Sequence, residues 1–297
     1  MEFGSLLDSI LTKGKKTMDE YVIFDAKVPK AEREAMDYIL QHTHEPFDSL
    51  SSEFLERMFS ECAYQQSLKP ETRYKKVAAY RNYYDVQISG KKVISQKDWD
   101  DACQMAMKFR EDPYLKDIFG TKSTDKKEYL YQLKFEVDYT LPSGLTVPVR
   151  IMPDLLIVNH EDKTIQYVDL KTSSDPGWSF AKENFIRFRY DLEASVYTDV
   201  LGQVLNSIPE YQDYSLLPVL FTDISRTDKV PVTWWYDPKA ESQANGFCFE
   251  SKGKTYQYTS WTNMLDEIIE YESTATPVPK YIRLDGPNDI LSILSNQ

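Results

Sequence analysis

Cysteine is scarce in this chain of 297 residues. The three present, Cys62, Cys103 and Cys248, lie far apart and form no CxxC pair. An odd, scattered set excludes a disulfide framework and a zinc knuckle, which leaves packing as their role. Long apolar runs are also missing. Stretches such as "SLLPVLF" from Ser215 fall far short of a bilayer span, and the start lacks the charged-then-apolar order of a signal peptide. The expectation is a cytoplasmic protein with no membrane partner. Internal repeats and low-complexity segments are absent as well.

Positive charge is in deficit: 35 Lys and Arg stand against 47 Asp and Glu, a net charge of −12. Such a balance argues mildly against nucleic acid as a partner, because proteins that neutralise phosphates are usually basic. Locally the balance reverses. Between Lys69 and Lys97 eight basic residues face two acidic ones, with Tyr74, Tyr80, Tyr83 and Tyr84 interleaved. Basic side chains alternating with rings are a recurring nucleic-acid surface, and Arg73, Lys75, Lys76 and Arg81 are its candidate DNA contacts. A solvated helix face has the same composition, so both readings stand.

The chain has the size and 41% hydrophobic content to bury a large core. A single domain is expected, with a mainly helical part over 1–125, a core over 126–240 and a C-terminal part over 241–297. "EFGSLLDSILTKG" has apolar positions at helical spacing, "PKAEREAMDYILQH" starts on proline, and "SQKDWDDACQMAMKFRED" starts on a capping serine. "YYDVQISGKKVIS" is expected as a hairpin turning at Ser89-Gly90. From Tyr131 the period becomes two, in "YQLKFEVDYTL", "LTVPVRIMPDLLIV" and "TIQYVDLKTS", which predicts three successive strands. Pro176-Gly177 ends that run, Ser179 can cap a helix to about Gly202, "SLLPVLFTDIS" and "VPVTWWYD" read as strands, and "SWTNMLDEIIEYES" as a closing helix. The order is that of a mixed α/β protein.

The chemistry concentrates in "PDLLIVNHEDKTIQYVDLKTS", residues 153–173. "HEDK" is the polar cluster between two strand runs, and a turn centred between Glu161 and Asp162 pairs Asp154 with Asp169. Opposed side chains sit about 4.5–5.5 Å apart at Cβ, where like charges destabilise each other. A divalent cation held by both carboxylates would compensate, because hard cations prefer oxygen. Side chains alternate along a strand, so Lys171 shares the face of Asp169, and the carbonyl of Leu170 can add an oxygen ligand. The competing reading is plainer: aspartates cap strand ends, and Asp–Lys is a surface ion pair worth about 0–1 kcal/mol.

Pro153-Asp154 followed by Asp169-Leu170-Lys171 resembles the PD-(D/E)xK signature of metal-dependent nucleases, and the order of strands and helix matches that family. "RYDLEASVYTDVL" is similar to the Gln-x-x-x-Tyr helix of RecE- and RecB-like members, with Glu193 in the glutamine position and Tyr197 in the tyrosine position. "FGSLLDSILTKGKKTMDEYVIFDAKVPK" resembles the front of RecE-like nucleases, with Asp8 where that family has a histidine near the metal; Gly4-Ser5 then read as native and not as a cloning remnant. Glu136 matches a glutamate often seen on the first core strand, although Lys134 and Asp138 share its face, which equally describes a solvated edge. The resemblance implies a restriction-endonuclease-like core, a mixed sheet with a central β-meander flanked by helices. It also implies a Mg²⁺- or Mn²⁺-dependent exonuclease that resects double-stranded DNA ends in phage-type recombination, in bacterial or phage-infected cytoplasm.

Asp154, Asp169, Lys171, Glu193 and Tyr197 would then be catalytic, with Asp8 or Glu136 completing the metal shell of Asp154, Asp169 and the Leu170 carbonyl. Lys182, Arg187 and Arg189, beside Phe180, Phe185 and Phe188, would grip DNA next to the site. A single-strand-annealing recombination protein is the implied partner, and the rings formed by related exonucleases make a homo-oligomer an expectation. The alternatives are an endonuclease of the same fold, or a nuclease-like module kept for DNA or protein binding. Three scattered cysteines disfavour the branch with a four-cysteine iron–sulfur cluster, and the lack of a GxxxxGK[ST] loop excludes a helicase fusion.

Overall fold

The computed structural model describes residues 2–119, 121–238 and 246–274. It shows a mixed α/β protein that divides into two compact units, Met1–Thr121 with Ile224–Pro231, and Lys122–Asp223 with Val232–Gln297. The first boundary falls close to the expected change of pattern at 125; the 240/241 boundary and about half of the C-terminal part lie outside the described residues.

The first unit is mainly helical. Helix α1 (Glu2–Lys13) is followed by a short α2 (Thr17–Glu20) and strand β1 (Tyr21–Ile23). Pro29 stands at the N-cap of α3 (Lys30–His42), and Ser51 Oγ accepts from Phe54 N to cap α4 (Ser52–Glu61). Helix α5 (Pro70–Ala78) opens on its proline, whose missing N–H costs nothing in a first turn. Where a hairpin was expected over 83–95, the chain forms helix α6 (Arg81–Ile88), and only Lys92–Ile94 is a strand, β2. The reason lies in Tyr84. It is fully buried with Phe47, Met58 and Phe59, and its hydroxyl donates to Glu45 O at 2.7 Å. A helix places Tyr80, Tyr84 and Ile88 on that one face, and Gly90, at φ +68°, ends it. Strand β2 then pairs in parallel with β1. Helix α7 (Gln96–Glu111) is capped by Ser95 Oγ, which accepts from Asp98 N, and packs against α1.

The second unit is built on a sheet of six strands. Strands β3 (Lys127–Tyr131), β6 (Leu155–Asn159), β7 (Thr164–Ser173), β9 (Val219–Ser225) and β10 (Pro231–Tyr236) lie in the order β10-β9-β7-β6-β3, with the two-residue β8 (Ser215–Leu216) beside β7. Strands β4 (Phe135–Thr140) and β5 (Thr146–Ile151) form a separate hairpin. The expected meander of three strands is therefore five strands. Its first run breaks at Gln132, which takes a left-handed φ of +48°. Its second breaks at Pro153, which has no N–H for the ladder. These breaks let β4 and β5 pair with each other while β3 pairs antiparallel with β6.

After β7, the single helix expected from Ser179 is also interrupted. Residues Phe180–Phe185 form a π turn, Arg189 is left-handed at φ +54°, and α8 runs from Tyr190 to Ser207. Ser179 does not cap; its hydroxyl donates to Pro176 O at 2.8 Å. Strands β6 and β9 are buried almost throughout, the pattern of strands covered on both faces. Phe180, Phe185 and Phe221 pack with Ala194 and Leu201 of α8 in the core. A hairpin of β11 (Cys248–Ser251) and β12 (Lys254–Gln257), unanticipated from the sequence, precedes α9 (Trp261–Thr274). All three cysteines are free thiols, Cys62 and Cys103 partly buried and Cys248 exposed. Among the described residues, no helix is long and apolar enough to cross a membrane.

Phe221 touches the rings of Phe180, Phe185 and Tyr190 and is wholly buried. Phe221→Ala is expected to lower the stability of this unit by about 3–5 kcal/mol in a urea unfolding titration.

Candidate functional site

The β6–β7 ladder runs from Leu155↔Val168 to Asn159↔Thr164. The turn is therefore centred between Glu161 and Asp162, as the sequence predicts, and the same register sets Asp154 opposite Asp169. The ladder closes one residue short of that pair. Asp154 sits in a bend, with its Oδ2 accepting from the backbone N–H of Leu170 at 2.8 Å. Its carbonyl accepts from Gln132 N at 3.1 Å, which extends the β3–β6 pairing to this point. The first aspartate is thus tied to both neighbouring strands.

Asp169 is 2% exposed. Its Oδ1 accepts from the Tyr167 hydroxyl at 2.8 Å; its Oδ2 lies 2.9 Å from Lys171 Nζ but receives no aligned hydrogen bond. Lys171 Nζ donates to Glu193 Oε2 at 2.7 Å and lies 4.4 Å from the centre of the Tyr190 ring. Tyr197, one helical turn after Glu193, packs on Tyr167 with ring centres 4.9 Å apart. The fold thus brings Asp169, Lys171, Glu193 and Tyr197 together. Tyr190, on the helix face of Glu193 and Tyr197, joins them, and so does Tyr167, which sequence reasoning had not placed in the site. Two-residue alternation puts Tyr167, Asp169 and Lys171 on one face, a signal already legible for Tyr167.

Electrostatics follow from this packing. Burial opposes the Lys171 ammonium, but the adjacent Asp169 and Glu193 carboxylates outweigh it and hold its pKa above the usual lysine value. Lys171 is therefore a cation at neutral pH. Burial, with help from Asp169, raises the pKa of Glu193 against the pull of Lys171. Burial also pushes the Tyr197 hydroxyl up to about 12, Glu193 and Asp169 adding to the shift.

The other predicted residues fall elsewhere. Glu136, on β4, is exposed and takes a two-pronged pair from Arg150 of β5, at 3.0 and 2.8 Å. In the first unit, Arg73 lies over the Phe59 ring and 3.9 Å from Glu56, Lys76 donates to Gln65, and Arg81 pairs with Asp48, while Lys75 is exposed. In the second, Arg189 holds both oxygens of Asp191, at 2.9 and 3.0 Å, and covers the Tyr258 ring. Lys182 pairs with its neighbour Glu183, and Arg187 is exposed beside Phe188.

Two opposed carboxylates are hard donors, and an Asp169 oxygen with no aligned hydrogen bond suits a divalent cation. Among the described residues, however, no three His, Cys, Asp or Glu side chains gather closely enough to form a metal cluster. The chain matches no protein-family model, and no curated protein matches it significantly.

Asp8 is buried in the first unit, and that burial, reinforced by Glu20 and opposed by Lys13, raises its pKa to about 6. A carboxyl raised in the folded state favours folding while protonated, so its contribution is full below the unfolded value near 4 and is lost as pH rises through about 6. Asp8→Asn is expected to unfold like the wild type at pH 4 and to be more stable at pH 7.5 by up to about 3 kcal/mol, as read from denaturant titrations at both pH values.

Proposed function

We propose that the chain is a Mg²⁺- or Mn²⁺-dependent DNA nuclease of the PD-(D/E)xK kind, acting on double-stranded ends. The observation that carries this reading is the register of β6 and β7: it sets Asp154 opposite Asp169, and Lys171 meets the buried Asp169 on the same strand face. A mixed sheet holding that hairpin, followed by a helix that brings Glu193 to the lysine, supports a restriction-endonuclease-like core. The separate β4–β5 hairpin is a departure from a simple meander.

Asp154, Asp169 and the Leu170 carbonyl are the groups that would hold the ion. Bound there, it would supply stabilisation of charge on the scissile phosphate and leaving oxygen. Few protein ligands suffice, since magnesium keeps several waters. Lys171 has no acceptor while protonated, so it donates to the attacking water or to a phosphate oxygen and does not take a proton. Glu193, with a pKa raised by burial, is the better proton acceptor of the two. It also keeps Lys171 charged. This differs from the glutamine of the family pattern, whose amide can donate a hydrogen bond but cannot take up a proton at neutral pH.

One observation favours a second reading. Asp169, Lys171 and Glu193 compensate one another without a metal, which would suit a nuclease-like module kept for binding. Magnesium titration separates the two, because such a module need not bind the ion.

Purified protein incubated with linear duplex DNA and Mg²⁺ is expected to degrade it, with Lys171→Ala and Asp154→Asn each slower by about a hundredfold or more. Closed-circular DNA should resist if digestion starts from ends. Wild type without activity, or variants as fast as wild type, would rule the nuclease out.

A further inference from the structure

Lys171 also lines a cleft of about 310 Å³ whose walls include Asn184, Arg187, Phe188, Phe180 and Tyr190. The volume is within the range of small-ligand clefts, roughly 300–1,000 Å³. Three features mark it as built to receive something. Asn184 is 3% exposed, yet its Nδ2 has no hydrogen-bond partner, a donor whose desolvation nothing in the protein offsets. Its position comes from the π turn Phe180–Phe185, a helix distortion frequent at functional sites. Phe188 leaves 54% of its surface in solvent at the cleft, and Arg187 makes no ion pair among the described residues.

We infer that this cleft binds a single nucleotide, its base lying against Phe188 and accepting from Asn184 Nδ2, its phosphate on Arg187. A ring and an amide donor match the face and the carbonyl edge of a base, since stacking serves any base and the amide requires an acceptor. The exposed Arg187 guanidinium, which lies over the Phe188 ring, matches one phosphate. Asp175 and Asp223 also line the cleft, which disfavours a polyphosphate. Lys171, held by Asp169 and Glu193, lines this cleft and so joins it to the candidate site. The inference rests on the nuclease reading: the nucleotide is the terminal one of a strand, or the deoxynucleoside 5′-monophosphate released from it.

Calorimetric titration of the full chain with each deoxynucleoside 5′-monophosphate, with the matching deoxynucleosides and with inorganic phosphate tests it. At least one nucleotide should bind, and more tightly than its nucleoside or phosphate alone. Asn184→Ala and Phe188→Ala should each weaken that binding about tenfold. Phe188 is exposed, so its variant tests the cleft even if loss of Asn184 disturbs folding. No nucleotide binding, phosphate bound as tightly as nucleotide, or a Phe188 variant that binds like wild type would overturn the inference. A chain that cuts DNA without binding mononucleotides loses this cleft and keeps the nuclease; one that binds them and cuts nothing does the reverse.

Discussion

Asp169 carries a carboxylate into the interior of a sheet, and the groups around it follow from the need to compensate that charge. Burial of an ion costs several kcal/mol, which is recovered only by close partners of good geometry. Tyr167 donates from two residues before it, Lys171 stands 2.9 Å away from two residues after it, and Glu193 of α8 shares the lysine. Each member leans on the next. Without Lys171, the buried Asp169 would face the half-buried Glu193 as a like charge; without Glu193, the cation would answer to Asp169 alone. Such a cluster is costly to build for stability only, since apolar packing of the same volume is often as good. That cost is the physical reason to read it as functional.

The strands around the cluster are shaped by breaks rather than by continuity. A left-handed Gln132 and the missing N–H of Pro153 divert β4 and β5 into their own hairpin and leave β3 to pair with β6. The same break frees Asp154 from the ladder, so its carboxylate turns across to the Leu170 N–H. Beyond β7, the π turn and the left-handed Arg189 reset the direction of the chain before α8 begins. Arg189 is locked there by Asp191, which is itself buried. This re-aiming brings the Tyr190 ring over Lys171 and sets Asn184 in the wall of the neighbouring cleft.

Charge in the protein as a whole is acidic, and the local basic stretch at 69–97 is less available than its composition suggests. Tyr84 is core, Arg73 is packed on Phe59, and Lys76 and Arg81 are engaged by Gln65 and Asp48. In the second unit, Arg189 is bound to Asp191 while Arg187 remains exposed. A DNA contact near the candidate site would therefore be narrow, made by a few cations beside aromatic rings. Binding of that kind depends on local geometry more than on net charge.

Much of this was legible in the residues themselves. The capping serine at 95, the proline before α3 and the period-two runs act over a few neighbouring residues, so they mark α7, α3, β6 and β7 without knowledge of the rest. The β6–β7 turn is equally local, and with it comes the register that opposes Asp154 to Asp169. What failed was reading continuity: period-two runs do not show where a strand changes partner, nor does a helical pattern show a π turn inside it. Tyr84 was assigned to a hairpin because only a distant core, with Phe47 and Phe59, makes a helix the better state. The sequence by itself determined which residues alternate, and so which carboxylates and lysine share an edge. Only the tertiary structure decided that Glu193, Tyr190 and Tyr197 close over them, because those contacts join segments whose separation along the chain carries no local signal.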